Sequence, residues 1–242
     1  MAKHKMFISH VSEEAPLAVI LKSHLSQDFL GLVDIFVSSD LESISAGANW
    51  LDSIKAALSE SSALLALCSR ASLNRAWVNF EVGAAWIKPI PIVPICHSGL
   101  LPRELPIPFS TMQGIQANTE QGLKRVYSFV AKELGCGIPN KDFTGIINKI
   151  VEFENTYRPQ LEKTFSAEIQ RRSHAQKRVY EALSDPEYKS RSIERLAIRG
   201  GITEDEVMEL LQPDQNVVFS RSKTSGKRLA RLKDRGKAQT ME

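Results

Sequence analysis

The stretch SSALLALCSRASLNRAWVNFEVGAAWIKPIPIVPIC, residues 61–96, predicts a strand, a helix and a second strand in succession. Its first part, SALLALCS, has the length and the apolar character of a fully buried strand. The segment RAWVNFEVGAAW, residues 75–86, reads as a helix, and IPIVPIC reads as the next strand. The prolines of that second strand favour an edge position or a bent start. Strands that alternate with helices in this way predict a parallel sheet.

The same alternation extends through the first half of the chain. KMFISH and LVDIFVSS predict two earlier strands, and the segments that follow them have apolar residues at helical spacing. EQGLKRVYSFVAKELG and FTGIINKIVEFENTY predict two further helices after the last strand. The fold class is therefore α/β, with helices on both faces of a parallel sheet. Ligands of such sheets bind beyond the carboxyl ends of the strands.

Composition excludes several classes of protein. The chain has 242 residues, 43% of them hydrophobic and 24% charged, which is typical of a globular protein. Its apolar runs are too short or too interrupted by proline to span a bilayer, so no membrane partner is expected. Three widely spaced cysteines and five histidines suggest neither disulfides nor a metal site, and we expect a cytoplasmic protein. No glycine-rich phosphate-binding motif is present.

The second half of the chain differs in charge and pattern. Residues 1–157 contain 13 Lys and Arg against 15 Asp and Glu, whereas residues 158–242 contain 18 against 13. Three short helices precede a basic hairpin with its turn at KTSG, a layout typical of a winged helix-turn-helix. The third helix begins with a capping box, Thr203 and Glu206. We predict four segments: 1–137, an α/β domain; 138–173, a helical connector; 174–237, a winged-helix-like domain with a basic hairpin; and 238–242, a tail.

The basic hairpin suggests contact with nucleic acid phosphates, because residues 221–237 hold eight basic residues and one acid. The helix in the recognition position, TEDEVMELLQ, carries four acids that would repel phosphates. The pattern therefore favours a protein partner, another protomer or nonspecific nucleic acid. A disordered basic tail after Pro213 is the alternative.

Three pieces of the first half, in order, carry a family resemblance. FISH, then SSDLESISAGANWLDSIKAALSESSALLALCS, then WVNFEVGAAW resemble a bacterial Toll/interleukin-1 receptor (TIR) domain over roughly residues 4–135. The resemblance implies a flavodoxin-like five-stranded parallel sheet. It also implies an NAD+ glycohydrolase or ADP-ribose cyclase that acts in anti-phage defence and self-assembles into an oligomer or filament.

The resemblance assigns the catalytic role to Glu81. In the family, the catalytic glutamate lies on the helix of the fourth strand–helix unit, often one turn after a tryptophan, and Trp77 and Glu81 match that spacing. Residues four apart share one face of a helix, so Trp77 can flank the carboxylate. A carboxylate can stabilise the positive charge that develops on ribose when nicotinamide leaves. On its spacing alone, Glu81 is more typical of a partly buried, hydrogen-bonded structural acid, and Trp86 is more typical of the core than of a ligand contact.

Further substrate-binding residues follow from the same resemblance. Phe7, Ser9 and His10 end the first strand and would line the nicotinamide–ribose pocket, although Phe7 is also a candidate for the core and His10 for a helix cap. Asp40 and Trp50 lie in or beside the family's mobile BB loop, and Trp50 is also suited to the core. NAD+ would be a substrate, and no cofactor is expected.

Two other functions remain open at this stage. A noncatalytic TIR scaffold or regulator could bind protein or nucleic acid through the winged-helix module. A flavodoxin-like nucleoside transferase would also use a carboxylate beside ribose. The sequence does not distinguish a linear ADP-ribose product from a cyclic isomer.

Overall fold

A computed structural model describes residues 4–38 and 50–233, except for the side chains of Trp50 and Leu51. The chain divides into two compact units, Met1–Leu161 and Glu162–Glu242. Each unit has its own sheet and its own apolar core.

The first unit is built on a five-stranded sheet in the order β2-β1-β3-β4-β5, and all of its strand pairs are parallel. This order confirms the predicted flavodoxin-like sheet. The strands are β1 His4–Ser9, β2 Val33–Val37, β3 Ala63–Cys68, β4 Ile92–Cys96 and β5 Ile115–Gln116.

Helices cover both faces of this sheet. Helices α1 and α4 and the first part of α5 pack on one face, and α2 and α3 pack on the other. Side-chain alternation explains the division, because Met6 and Ile8 of β1 face the first group whereas Phe7 faces the second. The helices are α1 Ala15–Asp28, α2 Trp50–Glu60, α3 Ala76–Ile87, α4 Glu120–Leu134 and α5 Thr144–Ser184.

The position of β4 in the sheet explains why this strand can contain Pro94. It lies between β3 and β5, so it is not an edge strand in the sheet order. Strand β5 pairs only with Ile95 and Cys96, however, which leaves the Pro94 level of β4 with a neighbour on one side only. The backbone carbonyl of Cys96 points towards β5, because it accepts a hydrogen bond from the N–H of Ala117. Backbone groups of residues two apart in a strand point to the same side, so the backbone nitrogen of Pro94 points to that open side as well. The missing N–H of Pro94 therefore costs the sheet no hydrogen bond.

The second unit combines helices with a small antiparallel sheet. Its elements after α5 are β6 Arg191–Ser192, α6 Ile193–Gly200, α7 Glu204–Leu211, β7 Val217–Arg221 and β8 Arg228–Leu232. The sheet order is β6-β8-β7. The predicted hairpin is confirmed, and so is the capping box, in which the Thr203 side chain accepts from the Glu206 N–H and the Glu206 carboxylate accepts from the Thr203 N–H.

Helix α5 differs from the sequence-based segmentation. It is one continuous helix of 41 residues that includes Pro159 and crosses the predicted limit at residue 173. The predicted limit at residue 137 precedes this helix, yet Phe143, Ile146 and Ile150 are buried in the core of the first unit. Within the described residues, no helix is both long and apolar enough to cross a membrane.

Candidate functional site

Helix α3 turns its acidic residue inward. Its buried positions are Val78, Glu81, Val82 and Ala85, which form one stripe at helical spacing. Glu81 is therefore part of the face that packs on the sheet, and it has 0% exposure. Since α3 follows β3, Glu81 lies on the helix of the third strand–helix unit. The expectation that it lies on the helix of the fourth unit was wrong.

Two donors hold the two oxygens of the Glu81 carboxylate. The Trp77 indole N–H donates to Oε1 at 2.7 Å, and the Ser9 hydroxyl donates to Oε2 at 2.5 Å. Trp77 reaches its partner because it lies one helical turn earlier on α3. Ser9 reaches its partner because it ends β1 with its side chain on the α3 face of the sheet.

Burial dominates the electrostatics of this carboxylate. Removal from water raises the pKa of Glu81 to about 7, although the hydrogen bonds from Ser9 and Trp77 act in the opposite direction. A carboxyl group with a pKa near 7 is present in both protonation states at neutral pH. It can exchange a proton, or it can act as an anion towards a developing positive charge. Each oxygen also retains a lone pair for a further donor.

The other residues predicted on β1 differ in their surroundings. Phe7 is wholly buried and stacks on Phe36 with ring centroids 5.3 Å apart, so its side chain lies in the apolar core between sheet and helices. His10 is buried beyond the end of the strand, where its Nδ1 lies 2.7 Å from the Ser38 hydroxyl. Burial lowers the pKa of His10 to about 4, so this imidazole is neutral at physiological pH.

The two loop residues are not part of this geometry. Asp40 lies outside the described residues. Trp50 is the first residue of α2, and its side chain is likewise outside them. The structure thus brings Ser9, Trp77 and Glu81 together, and it packs Phe7 in the same apolar cluster that Trp77 contacts.

Comparison with protein-family models gives a match over residues 6–127, half of the chain, to the TIR domain. The chain belongs to the TIR domain family. The matched residues include the last four residues of β1, all of β2 to β5, α3 and the Ser9–Glu81–Trp77 cluster. Comparison with curated proteins gives no match.

Sequence reasoning missed a second buried carboxylate in the TIR domain. Glu14 is wholly buried just before α1, and its Oε1 accepts from the Ser69 hydroxyl at 2.5 Å and from the Tyr157 hydroxyl at 3.3 Å. The Nε2 of His97 lies 3.2 Å from the same oxygen. Glu14, Ser69 and His97 follow β1, β3 and β4, at the edge of the sheet where ligands of this fold bind. Ser69 and His97, which are polar and come directly after buried strands, were the available signal.

Helix α5 contributes a third buried carboxylate at this edge. Glu154 accepts from the backbone N–H of Ser98 and from the side-chain amide of Asn118, both at 2.7 Å. Ser98 follows β4 and Asn118 follows β5. Through Glu154 and Tyr157, α5 is therefore hydrogen-bonded to groups beside three strand ends.

One expectation about α3 was wrong. Trp86 was expected in the core, but it is 66% exposed, because the buried stripe of α3 runs through Val82 and Ala85 instead. Its side chain therefore lies mostly in solvent, outside the buried stripe that contains Glu81.

Proposed function

We propose that the TIR domain is an NAD+ glycohydrolase that cleaves the bond between nicotinamide and ribose. The products would be nicotinamide and either ADP-ribose or a cyclic isomer of it. The observation that carries this proposal is the Glu81 carboxylate, which is buried and hydrogen-bonded to Ser9 and Trp77, in surroundings that raise its pKa. An ordinary surface acid would have none of these features.

The chemistry needs one anion in the right place. Nicotinamide leaves NAD+ as a neutral molecule, so the leaving group requires no proton from the enzyme. Positive charge builds up on the ribose, and the Glu81 carboxylate stabilises it. Water then bonds to the ribose carbon and releases a proton to solvent, which gives ADP-ribose; for a cyclic product, an atom of the same ADP-ribose bonds there instead. Two opposite charges about 4 Å apart at an effective dielectric constant of about 20 attract by about 4 kcal/mol. That energy corresponds to roughly a thousandfold in rate.

The predicted site residues around Glu81 would have different roles, some acting on the carboxylate and others on the substrate. Ser9 and Trp77 act on the carboxylate itself, so both are positioning residues in this proposal as well as candidates for substrate contact. His10, being neutral, would contact the substrate through hydrogen bonds and would not attract its phosphates by charge. Phe7 would shape the floor of the pocket from the core. Asp40 and Trp50 remain predicted substrate contacts.

The full burial of Glu81 bears on how activity is controlled. A ribose can reach this carboxylate only after neighbouring groups move, because the side chain has 0% exposure. Activation by self-assembly of TIR domains would provide that movement, and we propose such an oligomer or filament acting in anti-phage immunity. We propose a reducing cytoplasm as its compartment, which suits three free cysteines.

The test is the release of nicotinamide from NAD+ by the full chain, in dilute solution and after assembly is induced by crowding. We expect Glu81→Gln to lower the rate roughly a thousandfold, because it removes the negative charge and keeps the shape. The matched control is Glu152→Gln, which neutralises an exposed acid on α5. Equal activity of wild type and Glu81→Gln would contradict the proposal. Chromatography of the products would separate ADP-ribose from its cyclic isomer.

A noncatalytic scaffold is the second candidate, and one observation favours it. Both Glu81 oxygens already have partners within the fold, as expected for a structural acid. A scaffold would release no nicotinamide even when assembled, and Glu81→Gln would change its stability only. The same assay with free nucleosides in place of NAD+ detects base exchange by a nucleoside transferase.

We further propose that the second unit is a winged-helix-like module. Its order of helix, strand, helix, helix and hairpin supports this assignment, although the hairpin is less cationic than the sequence suggests. Lys227 pairs with Glu194, and Arg228 lies 3.7 Å from Glu204. The same pairs neutralise acids that would otherwise face phosphates. This leaves the hairpin for nonspecific nucleic acid or for a protein partner.

Fluorescence anisotropy with duplex DNA at several salt concentrations tests the hairpin. Lys223→Glu at the exposed turn should weaken binding and lower the slope of log affinity against log salt by about one or two. Lys189→Glu, an exposed lysine outside the hairpin, is the control. Salt-independent binding, or no binding, would favour a protein partner.

A further inference from the structure

The second unit contains a cleft with an unusual concentration of arginine. Its volume is about 430 Å³, and three of its seven lining residues are arginines, Arg178, Arg191 and Arg199. Two acids, Glu181 and Asp185, line it as well. The volume falls within the range of small-molecule sites. All of these residues belong to the second unit, so the cleft is complete within it.

Arg191 is the anchor of this cleft. Its guanidinium pairs with Asp185 and stacks on the Tyr188 ring, 3.8 Å from the ring centroid. Arg191 is only 9% exposed, and its Nε has no hydrogen-bond partner among the described residues. A buried guanidinium with an unused donor is costly for folding alone. The ion pair with Asp185 and the stacking on Tyr188 hold the Arg191 guanidinium in place in the wall of the cleft.

The two other arginines have donors to spare. Arg178 donates one N–H to the carbonyl of Gly200 at 2.8 Å, which fixes its guanidinium at the end of α6 and leaves its other donors without a hydrogen-bond partner among residues 4–38 and 50–233. Arg199, on α6, has no ion pair within the part of the chain that the structure describes. Arginine forks match the geometry of phosphate oxygens. With Asp185 already paired to Arg191, two cations of the cleft face a single remaining acid, Glu181.

The carboxylate of Glu181 restricts the chemical class of ligand that the cleft can bind. A bare anion would be repelled by this carboxylate, whereas a nucleotide offers it hydroxyl or amino donors next to the phosphate. We propose that the Arg178–Arg191–Arg199 cleft binds the phosphate of a nucleotide, with Glu181 accepting a hydrogen bond from its sugar or base. The nucleotide is either free or the 5′ end of a nucleic acid strand. This proposal is independent of NAD+ cleavage by the TIR domain.

Isothermal titration of the full chain with AMP and with inorganic phosphate tests the cleft. We expect Arg199→Gln to weaken AMP binding roughly tenfold or more, since one charge-assisted contact is lost. The matched control is Arg195→Gln, an exposed arginine on the same helix that does not line the cleft, and its affinity should stay within about twofold. Both substitutions are at exposed positions, where folding should be preserved.

A second variant tests the role of the acid. Glu181→Gln should lower the affinity for AMP relative to inorganic phosphate several-fold, because the neutral amide oxygen is a weaker acceptor for the nucleoside than the carboxylate and the charge that repels phosphate is removed. An oligonucleotide with and without a 5′ phosphate distinguishes the two sources. Binding that requires the 5′ phosphate and is weakened by Arg199→Gln supports a strand end. The proposal is overturned if neither AMP nor the phosphorylated strand saturates up to about 10 mM, or if Arg195→Gln weakens binding as much as Arg199→Gln.

Discussion

Replacing Glu81 by glutamine should stabilise the first unit, and it should do so only at high pH. Glutamine has the shape of a protonated glutamic acid. Its Oε1 can still accept from the Trp77 indole, and its amide can donate to the Ser9 hydroxyl oxygen after that hydroxyl rotates. The substitution therefore keeps the packing of α3 and removes the buried charge.

The magnitude follows from the raised pKa of Glu81. Because this pKa is higher in the folded state than in the unfolded chain, the folded state binds more protons between the two values, and stability falls as pH rises. A rise from 4.5 to about 7 corresponds to about 3 kcal/mol of stability lost, at 1.36 kcal/mol per pKa unit. The loss begins near pH 4.5 and is complete above pH 7. Glu81→Gln should recover it there and change little at pH 5.

Urea unfolding at pH 5 and pH 8, followed by tryptophan fluorescence, measures this difference. All three tryptophans, Trp50, Trp77 and Trp86, lie in the first unit, so the signal reports on that unit. The expected gain in unfolding free energy of Glu81→Gln over wild type is about 3 kcal/mol at pH 8 and no more than about 1 kcal/mol at pH 5.

The exposed acid Glu152 provides the control, since Glu152→Gln should stay within about 0.5 kcal/mol of wild type at both pH values. A stability change of Glu81→Gln that is the same at pH 5 and pH 8 would refute the reasoning. It would mean that the buried carboxyl has the same pKa in the folded and unfolded states. This test does not depend on whether the protein has enzymatic activity.

Ser9→Ala should raise the pKa of Glu81 further, because a hydrogen bond to the charged form is lost. The low-pH limb of nicotinamide release should move up by about one pH unit, and Ser61→Ala, at a buried serine remote from the site, should leave it unchanged. Glu154→Ala should lower the urea midpoint and cost about 3 kcal/mol, because the Ser98 N–H and the Asn118 amide lose their acceptor; a midpoint equal to that of wild type would contradict the role of Glu154. Tyr157→Phe should cost about 1 kcal/mol in the same measurement, and an unchanged midpoint would show that its hydroxyl contributes nothing.

The α/β fold could be predicted because its strands and helices differ in period and length. SALLALCS is apolar at every position of its central part, and all six residues of β3 are buried. Strand β5 could not be predicted, since it has only two residues, Ile115 and Gln116, and two residues establish no period. The continuity of α5 was also out of reach, because an internal proline is ordinarily a reason to end a helix.

The candidate site likewise contains contacts that could be predicted from the sequence and contacts that could not. Trp77 and Glu81 could be paired from their spacing, because both lie on one helix. The bond between Ser9 and Glu81 joins residues 72 positions apart and depends on how α3 crosses the end of β1. The Glu14 cluster was hidden for a related reason. Its members come from separate elements, and nothing in the local sequence links Glu14 with Tyr157.

The packing of α5 has a practical consequence for the design of shorter recombinant fragments of this protein. The family match ends at residue 127, and a fragment that stopped there would omit Phe143, Ile146 and Ile150, all buried against the sheet. It would leave bare apolar surface on one face of the sheet, and such surface promotes aggregation. The segment that matches the family model is thus shorter than the segment that contains the whole core of the first unit. A recombinant TIR fragment of this protein should extend at least to Leu161.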